Sequence, residues 1–365
     1  MSTNSLGPLI RLWGLPTEQL PPTTATPDDL APLLTAILQE AVPFIDSAAP
    51  KSGASADPKL WKSKGSHAHP DSAARIEVLE RVVPAVEIER VASAAAAAAG
   101  TVDSNGTGGK VRPETWCCRR SVHEDDAKTG TAAWSEFVHS FRDAHAESER
   151  AFTPDCVGAH QALTWDCTGV EVEEGGQTWT GFKLLVEEMR HRVGRPVLRD
   201  RTFPVLQMTC GTGSSGEGEE FVVVSIPVPD FGAKSQASRL ASEKGALVAV
   251  YVSVERIRKM EDGKVEWLMA TASDAGGALP AWVQNLAAPG VIWKDVPLFL
   301  GWIAKERRKG TGGSGSGGES KQTEDGGAVP LVEDGTNNAG PVETETPQAS
   351  AGAGVPQTTK LSESA

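Results

Sequence analysis

Residues 247–271 read LVAVYVSVERIRKMEDGKVEWLMAT, and this stretch predicts two long strands joined by a tight turn. In its first half, valines recur at every second position, which is the side-chain period of a β-strand. An Asp-Gly pair at 262–263 then interrupts the run, and such a pair between two strand-like segments is a strong hairpin signal. The return segment places Val265, Trp267 and Met269 on one face. The stretch therefore predicts an antiparallel hairpin.

A long apolar helix is predicted directly after this hairpin. Residues 273–277, SDAGG, break the strand, and Leu279-Pro280 opens the helix, because proline is tolerated in a first helical turn. Apolar side chains then recur at helical spacing as far as Ile303. Pro289-Gly290 and Pro297 predict a kink or a break. A helix this apolar must pack against the preceding sheet, so we expect it to anchor the fold.

Four segments resemble a known group of lipid-binding domains. They are YVSVER at 251–256, WLMATASDAGGALPAWVQN at 267–285, WCCRRSVH at 116–123 and KDVPLFLGWI at 294–303. Together they resemble the START-like (helix-grip) lipid-binding domain, and more narrowly an uncharacterised fungal branch of the START superfamily. In that superfamily a last strand passes through an Asp-x-Gly-Gly-x-Leu-Pro segment into a long C-terminal helix that covers a lipid cavity. The resemblance spans residues 113–306.

The resemblance implies an α+β fold in which a curved antiparallel sheet grips the C-terminal helix. The order of the predicted elements, an early helix, a run of strands and a late helix, agrees with that arrangement. The implied function is non-covalent binding of a lipid, sterol or other hydrophobic small molecule between sheet and helix, with transfer left open. Apolar walls would replace water around the ligand, which gains about 25 cal/mol per Å² of buried apolar surface.

Six residues are candidates for the wall of that cavity: Arg119, Trp267, Met269, Trp282, Val283 and Leu286. Arg119 and Arg120 alternate across a strand, so one of them can face inward, either to anchor a lipid headgroup or to pair with an acidic residue. The ten tryptophans are too many for the core of one small sheet, so a single tryptophan is either cavity wall or ordinary core. Val283 and Leu286 lie three apart on one helical face.

The charge of the chain excludes some classes of partner. The net charge is −13 and the pI is about 5.1, whereas nucleic-acid binding needs a basic face. Charge alone also disfavours docking on an anionic membrane. Neither a signal-peptide pattern nor a spanning stretch of ~18–20 apolar residues is present. We therefore expect a cytoplasmic protein with at most transient membrane contact.

Composition predicts three regions. Residues 1–112 are expected to hold one helix plus loose Ser/Pro/Ala/Gly-rich segments, 48–70 and 93–110 among them. Residues 113–306 form the START-like domain. Residues 307–365 contain no aromatic side chain and are expected to be a disordered tail.

The N-terminal helix is well marked in the sequence. Thr26 is a capping residue, Pro27 fits the first helical position, and the helix is expected to end near Pro43. Its apolar stripe suits either a membrane surface or packing on the domain. The polar face is acidic rather than basic, which favours packing on the domain.

No catalytic, metal or cofactor site is predicted. Residues 211–216, GTGSSG, match G-x-G-x-x-G, but acids and a strand follow where phosphate binding needs a helix, so we expect a hairpin loop. Glu187, Glu188 and His191 are expected to form a solvated charge cluster. Five cysteines lack C-x-x-C spacing and are expected to be small buried thiols: Cys117, Cys118, Cys156, Cys167 and Cys210.

Two other functions stay open at this point. One is a protein-interaction module whose cavity has collapsed. The other is a START-like cyclase or hydrolase, which would need an acid/base pair inside the cavity. His123 and Arg119 are the nearest candidates for such a pair.

Overall fold

A ten-stranded antiparallel sheet organises the protein. The computed structural model describes residues 6–98, 111–192, 199–214, 216, 218–276 and 288–312. The strands lie in the order β1-β2-β3-β10-β9-β8-β7-β6-β4, and β5 pairs with β6. Their bounds are β1 Lys62–His69, β2 Ser72–Val83, β3 Glu114–His123, β4 Cys156–Trp165, β5 Val172–Glu174, β6 Gln177–His191, β7 Arg201–Thr212, β8 Glu220–Pro227, β9 Val250–Lys259 and β10 Val265–Asp274.

The helices of the described residues pack on both faces of this sheet. They are α1 Pro27–Ala48, α2 Ala85–Ala98, α3 Trp134–Phe137, α4 His145–Phe152, α5 Phe231–Lys234 and α6 Asp295–Gly312. A π-helical segment, Val138–Asp143, follows α3 directly, and 3-10 turns lie at Thr17–Gln19, Ala288–Gly290 and Ile292–Lys294. None of the helices within the described ranges is long and apolar enough to cross a membrane.

Each face of the sheet has its own apolar core, because neighbouring side chains on a strand point to opposite faces. On β8, Val222 and Val224 belong to the core beneath α1 and the N-terminal lead. Phe221 and Val223 belong to the other core, which includes residues of the π-helical segment, α4 and α6. The sheet is therefore covered from both sides, and the prediction of an α+β fold with an antiparallel sheet packed against a C-terminal helix is confirmed.

The hairpin and the helix break follow the sequence prediction. β9 and β10 pair along their whole lengths, and Gly263 at the turn has φ +80°, a conformation that glycine adopts at little cost. Pro289 and Gly290 lie in a 3-10 turn, so the predicted break occurs there. The described part of the C-terminal helix begins at Asp295. The predicted start of this helix, residues 279–287, lies outside the described residues.

The predicted end of the N-terminal helix near Pro43 is wrong. Helix α1 continues to Ala48 with Pro43 inside it. Phe44, Ile45 and Ala48 beyond the proline are all buried against the sheet. Their burial offsets the one backbone hydrogen bond that a proline removes. The prediction that this helix packs on the domain is confirmed.

The predicted boundary at residue 113 is also not seen. Part of the segment expected to be loose, 48–70, forms strand β1, and β2 follows it in the same sheet beside β3. The N-terminal lead packs on the sheet as well, since Arg11 is buried and lies 3.0 Å from Glu114. All described residues belong to one compact unit. At the other end, α6 runs to Gly312, past the predicted boundary at 307, and residues 313–365 lie outside the described part of the chain.

The predicted cysteine role and glycine-rich loop agree with the structure. All five cysteines are free and buried. Burial raises the pKa of both Cys117 and Cys118 to about 12, so these thiols are not nucleophilic at neutral pH. Strands β7 and β8, between which the glycine-rich segment falls in the chain, pair as an antiparallel hairpin.

Removing the cap of α1 gives a first testable prediction. The Thr26 hydroxyl accepts a hydrogen bond from the Asp29 amide at 3.4 Å, and the Asp29 carboxylate accepts one from the Thr26 amide at 2.9 Å. We expect Thr26→Ala to lower the free energy of unfolding by about 1 kcal/mol. Chemical denaturation measures this, with the exposed Thr24→Ala as the control. Equal stability of the two variants would show that the cap contributes nothing.

Candidate ligand-binding site

Strand register brings three polar or flexible side chains together on the sheet. Met269 on β10 pairs with Arg119 on β3 and, on its other side, with Glu255 on β9. Residues directly opposite in adjacent strands point to the same face. Arg119, Met269 and Glu255 therefore form a row across the sheet, on the face covered by α4 and α6.

Arg119 lies at the β3 end of this row and makes several polar contacts. It is 2% exposed, and its guanidinium lies 4.0 Å from the ring centre of Trp267. Nη2 donates to Glu255 Oε1 at 3.3 Å, and Nε lies 3.5 Å from Asp295 Oδ2 on the first residue of α6. Nη1 is buried and has no hydrogen-bond partner among the described residues. The arginine thus ties the sheet to the C-terminal helix through its Nε–Asp295 ion pair, and its Nη1 is left without a partner among these residues.

Helix α4 adds a second group of ionisable side chains. His145 Nε2 lies 3.6 Å from Glu255 Oε2, and His145 Nδ1 lies 3.8 Å from Glu149 Oε2. The other oxygen of Glu149 lies 3.7 Å from His191 Nε2 on β6. Glu255 also accepts a hydrogen bond from Trp267 Nε1 at 2.6 Å. Glu255 is thus held by Arg119, His145 and Trp267 at once.

The shared network shifts the pKa values of its members. Burial works to raise the pKa of Glu255, but His145 and Arg119 outweigh it and lower that pKa. Burial works to lower the pKa of His145, but Glu255 and Glu149 raise it. For Asp295 burial dominates and raises the pKa to about 6, although Arg119 opposes the rise. Near neutral pH this network therefore holds an ionised Glu255 beside Arg119, and the raised pKa of Asp295 is about 6.

These residues border a cavity of about 440 Å³, called here the Arg119 cavity. Aromatic side chains of the π-helical segment, α4, β7 and β9 form one part of its wall. Hydroxyl-bearing side chains of β8, β9 and β10 form another part. The aromatic residues are Phe141, Phe152, Phe203 and Tyr251, and the hydroxyl-bearing ones are Ser225, Ser253, Thr271 and Ser273. Asp155 and Arg192 also border it. A cavity of this size with a few convergent polar groups is typical of a small-molecule site.

The sequence-predicted wall residues divide into three groups. Arg119 and Met269 line the Arg119 cavity. Trp267 does not, because it is fully buried in the core, where it supports Arg119 and donates to Glu255. Trp282, Val283 and Leu286 lie outside the described residues. Within the described residues, no group of three or more His, Cys, Asp or Glu side chains is arranged to hold a metal ion.

A comparison with family models assigns the chain to a protein family. Residues 116–303, just over half of the sequence, match the family described as "Protein of unknown function (DUF3074)". The chain belongs to this family. The match covers Arg119, His145, Glu255 and Asp295, so the whole ion network of the cavity lies inside the DUF3074 segment. No curated protein matches.

Three solved structures are similar to this DUF3074 protein. Human STARD10 has 12% identity and a TM-score of 0.45, covering 75% of this chain and 82% of its own. The human StarD13 (DLC2) lipid transfer and protein localization domain has 14% identity and a TM-score of 0.39, covering 67% and 88%. Human StAR-related lipid transfer protein 5 has 10% identity and a TM-score of 0.45, covering 78% and 99%. These are START-domain proteins, the kind that the sequence resembles.

The histidine that sequence reasoning named is not the one at the cavity. His123 is 1% exposed and packs against Phe137 and Trp267, and burial together with nearby Arg119 lowers its pKa to about 4. His145 borders the cavity instead. The sequence did contain a signal for the polar side of β9 at this cavity, because Tyr251, Ser253 and Glu255 alternate with buried valines. That pattern ordinarily indicates a solvent-facing side of a strand.

The predicted solvated cluster of Glu187, Glu188 and His191 is wrong for both glutamates. Glu187 is 5% exposed and Glu188 is fully buried. The Glu188 carboxylate accepts hydrogen bonds from the Ser238 hydroxyl at 2.5 Å and from three backbone amides, of residues 239, 240 and 241, at 2.8–2.9 Å. The Glu188 carboxylate can be buried because a loop about fifty residues later in the chain supplies its hydrogen-bond donors.

Proposed function

We propose that this protein binds an amphiphilic small molecule, a lipid or sterol, in the Arg119 cavity without altering it chemically. One observation carries the proposal: a space with aromatic walls ends at a buried guanidinium whose Nη1 has neither a hydrogen-bond nor an ion-pair partner among the described residues. Apolar walls supply affinity, and a few placed polar groups fix orientation. The resemblance to START-like domains supports the same function.

The proposed orientation of the ligand follows from the chemistry of its apolar and polar ends. The apolar part of the ligand packs on Phe141, Phe152 and Phe203. Its polar group, a hydroxyl, carbonyl or carboxylate oxygen, accepts a hydrogen bond from Arg119 Nη1. A buried donor without an acceptor costs about 1–3 kcal/mol, so a ligand oxygen at this point removes that cost. The nearby serine and threonine hydroxyls offer further partners to the same group.

We propose that the remaining wall comes from Trp282, Val283 and Leu286, as the sequence pattern suggests. Entry and release of the ligand would then require the C-terminal helix to move. The Arg119–Asp295 ion pair at the first residue of α6 would be the contact broken in that motion. The protein would act in the cytoplasm, where transient membrane contact is enough for ligand exchange.

A pair of methionine variants tests the proposal. Met269 is half-buried and lines the Arg119 cavity, whereas Met260 is half-buried and does not line it. We expect Met269→Trp to occupy the space and to weaken ligand binding at least about tenfold, or about 1.4 kcal/mol. Met260→Trp makes the same change elsewhere and should leave that binding unchanged.

The measurement is the amount of lipid bound by the folded variants. Native mass spectrometry and organic extraction identify the ligand carried by the wild type, and a lipid panel then gives affinities. No bound lipid in the wild type, or equal affinities of the two variants, would contradict the proposal. An empty wild type would instead favour a protein-interaction module.

Catalysis on the bound molecule is the second candidate function. It is favoured by His145, which borders the cavity and lies 3.6 Å from the ionised Glu255. Such a pair can transfer protons. Incubation of the bound ligand with wild type and His145→Gln, followed by mass analysis, separates the two functions. Chemical change that requires His145 would support an enzyme, and an unchanged ligand supports binding alone.

A further inference from the structure

A second cavity lies on the opposite face of the sheet. Alternation along the strands places Arg120, Arg256 and Glu266 on the face opposite to their neighbours Arg119, Glu255 and Trp267. Helix α1 covers this face but ends at Ala48, and residues 49–58 then pass over the uncovered strands. The space beneath them measures about 800 Å³ and is called here the Arg258 cavity.

Three guanidinium groups, two of which line this cavity, converge on one buried carboxylate. Glu266 is fully buried. Its Oε1 lies 2.8 Å from both Nε and Nη2 of Arg120. Its Oε2 lies 3.0 Å from Arg256 Nη2 and 2.7 Å from Arg258 Nε. Glu266 thus accepts one hydrogen bond from each of the three arginines.

The three arginines differ in what else they contact. Arg256 also pairs with Asp46 and donates to the carbonyl of Ala49, so it is committed to the end of α1. Arg120 also pairs with Glu77. Arg258 has only its Nε bound, and its two Nη groups have no partner within the residues that the structure describes. Arg258 lines the cavity, so these donors require an acceptor supplied by water or by a ligand.

Acidic residues also border the Arg258 cavity, but they lie at its rim. The side chains of Glu77 and Asp262 are 53% and 55% exposed, and Glu261 is exposed as well. Glu77 is already bonded to Arg120, and Asp262 accepts a hydrogen bond from the Lys264 amide. Water and salt screen such exposed charges, whereas the Arg258 side chain is only 13% exposed. The Nη donors of Arg258 that have no partner among the described residues therefore lie deeper in the cavity than these acidic groups.

We propose that the Arg258 cavity binds a ligand bearing a phosphate-type oxyanion. The planar Nη pair of an arginine matches two oxygens of such a group. Hydroxyls of Ser52, Ser55 and Ser63 border the same space, and Trp61, Leu79 and Met260 give it an apolar wall. About 800 Å³ is much larger than one phosphate group, so the ligand carries an organic part. Either a soluble phosphate ester or a phospholipid head group has this chemistry.

Two probes distinguish these sources. Inorganic phosphate, titrated by ³¹P NMR, reports a soluble oxyanion. Flotation with phosphatidylcholine vesicles, with and without phosphatidic acid, reports a lipid head group. We expect the full chain to bind at least one probe, and Arg258→Gln to weaken that binding at least about tenfold, because the paired Nη donors are lost. Binding to phosphate alone would assign a soluble ligand, and binding to phosphatidic acid vesicles alone would assign a lipid head group.

Matched variants separate this site from the other cavity. Arg239→Gln makes the same change at an exposed arginine that does not line the Arg258 cavity, and should bind like the wild type. Met260→Trp blocks the Arg258 cavity without removing a charge and should also weaken oxyanion binding, whereas Met269→Trp should not. A wild type that binds neither probe, or Arg258→Gln and Met260→Trp variants that both bind like the wild type, would overturn the proposal. Neither result would affect lipid binding in the Arg119 cavity.

Discussion

Replacing Glu266 by alanine is expected to lower the free energy of unfolding by about 3–5 kcal/mol, because it leaves buried guanidinium charges without their shared partner. Glu266 is fully buried and touches Arg120, Arg256 and Arg258. Burial works to raise its pKa, but the three arginines outweigh burial and lower it, so the carboxylate is ionised at neutral pH. Alanine removes the anion and leaves the cations in place.

Urea denaturation at neutral pH measures this effect, and Glu261→Ala is the control. Glu261 is an exposed glutamate on the turn of the same hairpin, and its replacement should change stability by no more than about 0.5 kcal/mol. The lowered pKa of Glu266 also predicts how the loss of stability in Glu266→Ala depends on pH. Its stabilising contribution is present above the unfolded pKa and disappears as pH falls through the folded pKa. A Glu266→Ala loss below about 1 kcal/mol would show that water or rearrangement compensates the arginines.

Local signals in the sequence were sufficient for the hairpin and for the cap of α1. The Asp262-Gly263 turn needs only its own residues and the strands beside it. Strand β3, Glu114–His123, contains Arg119 and Arg120, which the sequence had placed next to each other on a strand. Alternation places Arg119 and Arg120 on opposite faces of the sheet, but the sequence alone left open which of them faces the cavity. Register with β9 and β10 decides between them.

Strand β1 could not be predicted because nothing in its own sequence requires a strand. It reads KSKGSHAH, lies at the edge of the sheet and is mostly exposed. Lysines on an edge strand discourage pairing with other chains, so this composition suits the position. Strand β2 does carry buried Ile76 and Val78 at strand spacing, yet its many charged residues obscured the pattern. Both strands depend on long-range pairing with β3.

The two cavities could not be located from sequence for a related reason. Alternation along β9 separates Tyr251, Ser253 and Glu255 from Val252 and Val254, but it does not say what covers either face. The polar row faces a cavity here because α4 and α6 cover it incompletely. The ion cluster around Glu266 lies under the end of α1, more than two hundred residues away in the chain. Charges far apart in sequence become partners only in the folded sheet.

Replacing Glu187 by glutamine is expected to stabilise the protein at pH 8 and to have little effect at pH 4. Burial, together with nearby Glu149 and Glu147, raises the pKa of Glu187 from 4.5 to about 7, although His145 opposes the rise. Below pH 4.5 the carboxyl is protonated in both the folded and the unfolded chain. Stability from this group is then lost as pH rises through 7, because the folded chain must hold a buried charge. A rise from 4.5 to about 7 corresponds to about 3 kcal/mol.

Glutamine is neutral at every pH, so Glu187→Gln should raise the free energy of unfolding by about 2–3 kcal/mol at pH 8. The adjacent Glu188→Gln is the matched control with the opposite expected sign. Burial works to raise the pKa of Glu188, but the Ser238 hydroxyl and three backbone amides lower it. Glutamine offers those four donors a single oxygen, so Glu188→Gln should lose about 1–3 kcal/mol at pH 8. Denaturation of both variants at pH 4 and pH 8 is the measurement. A Glu187→Gln variant that is destabilised at pH 8, or equally changed at both pH values, would show that Glu187 is hydrated or paired in the folded protein.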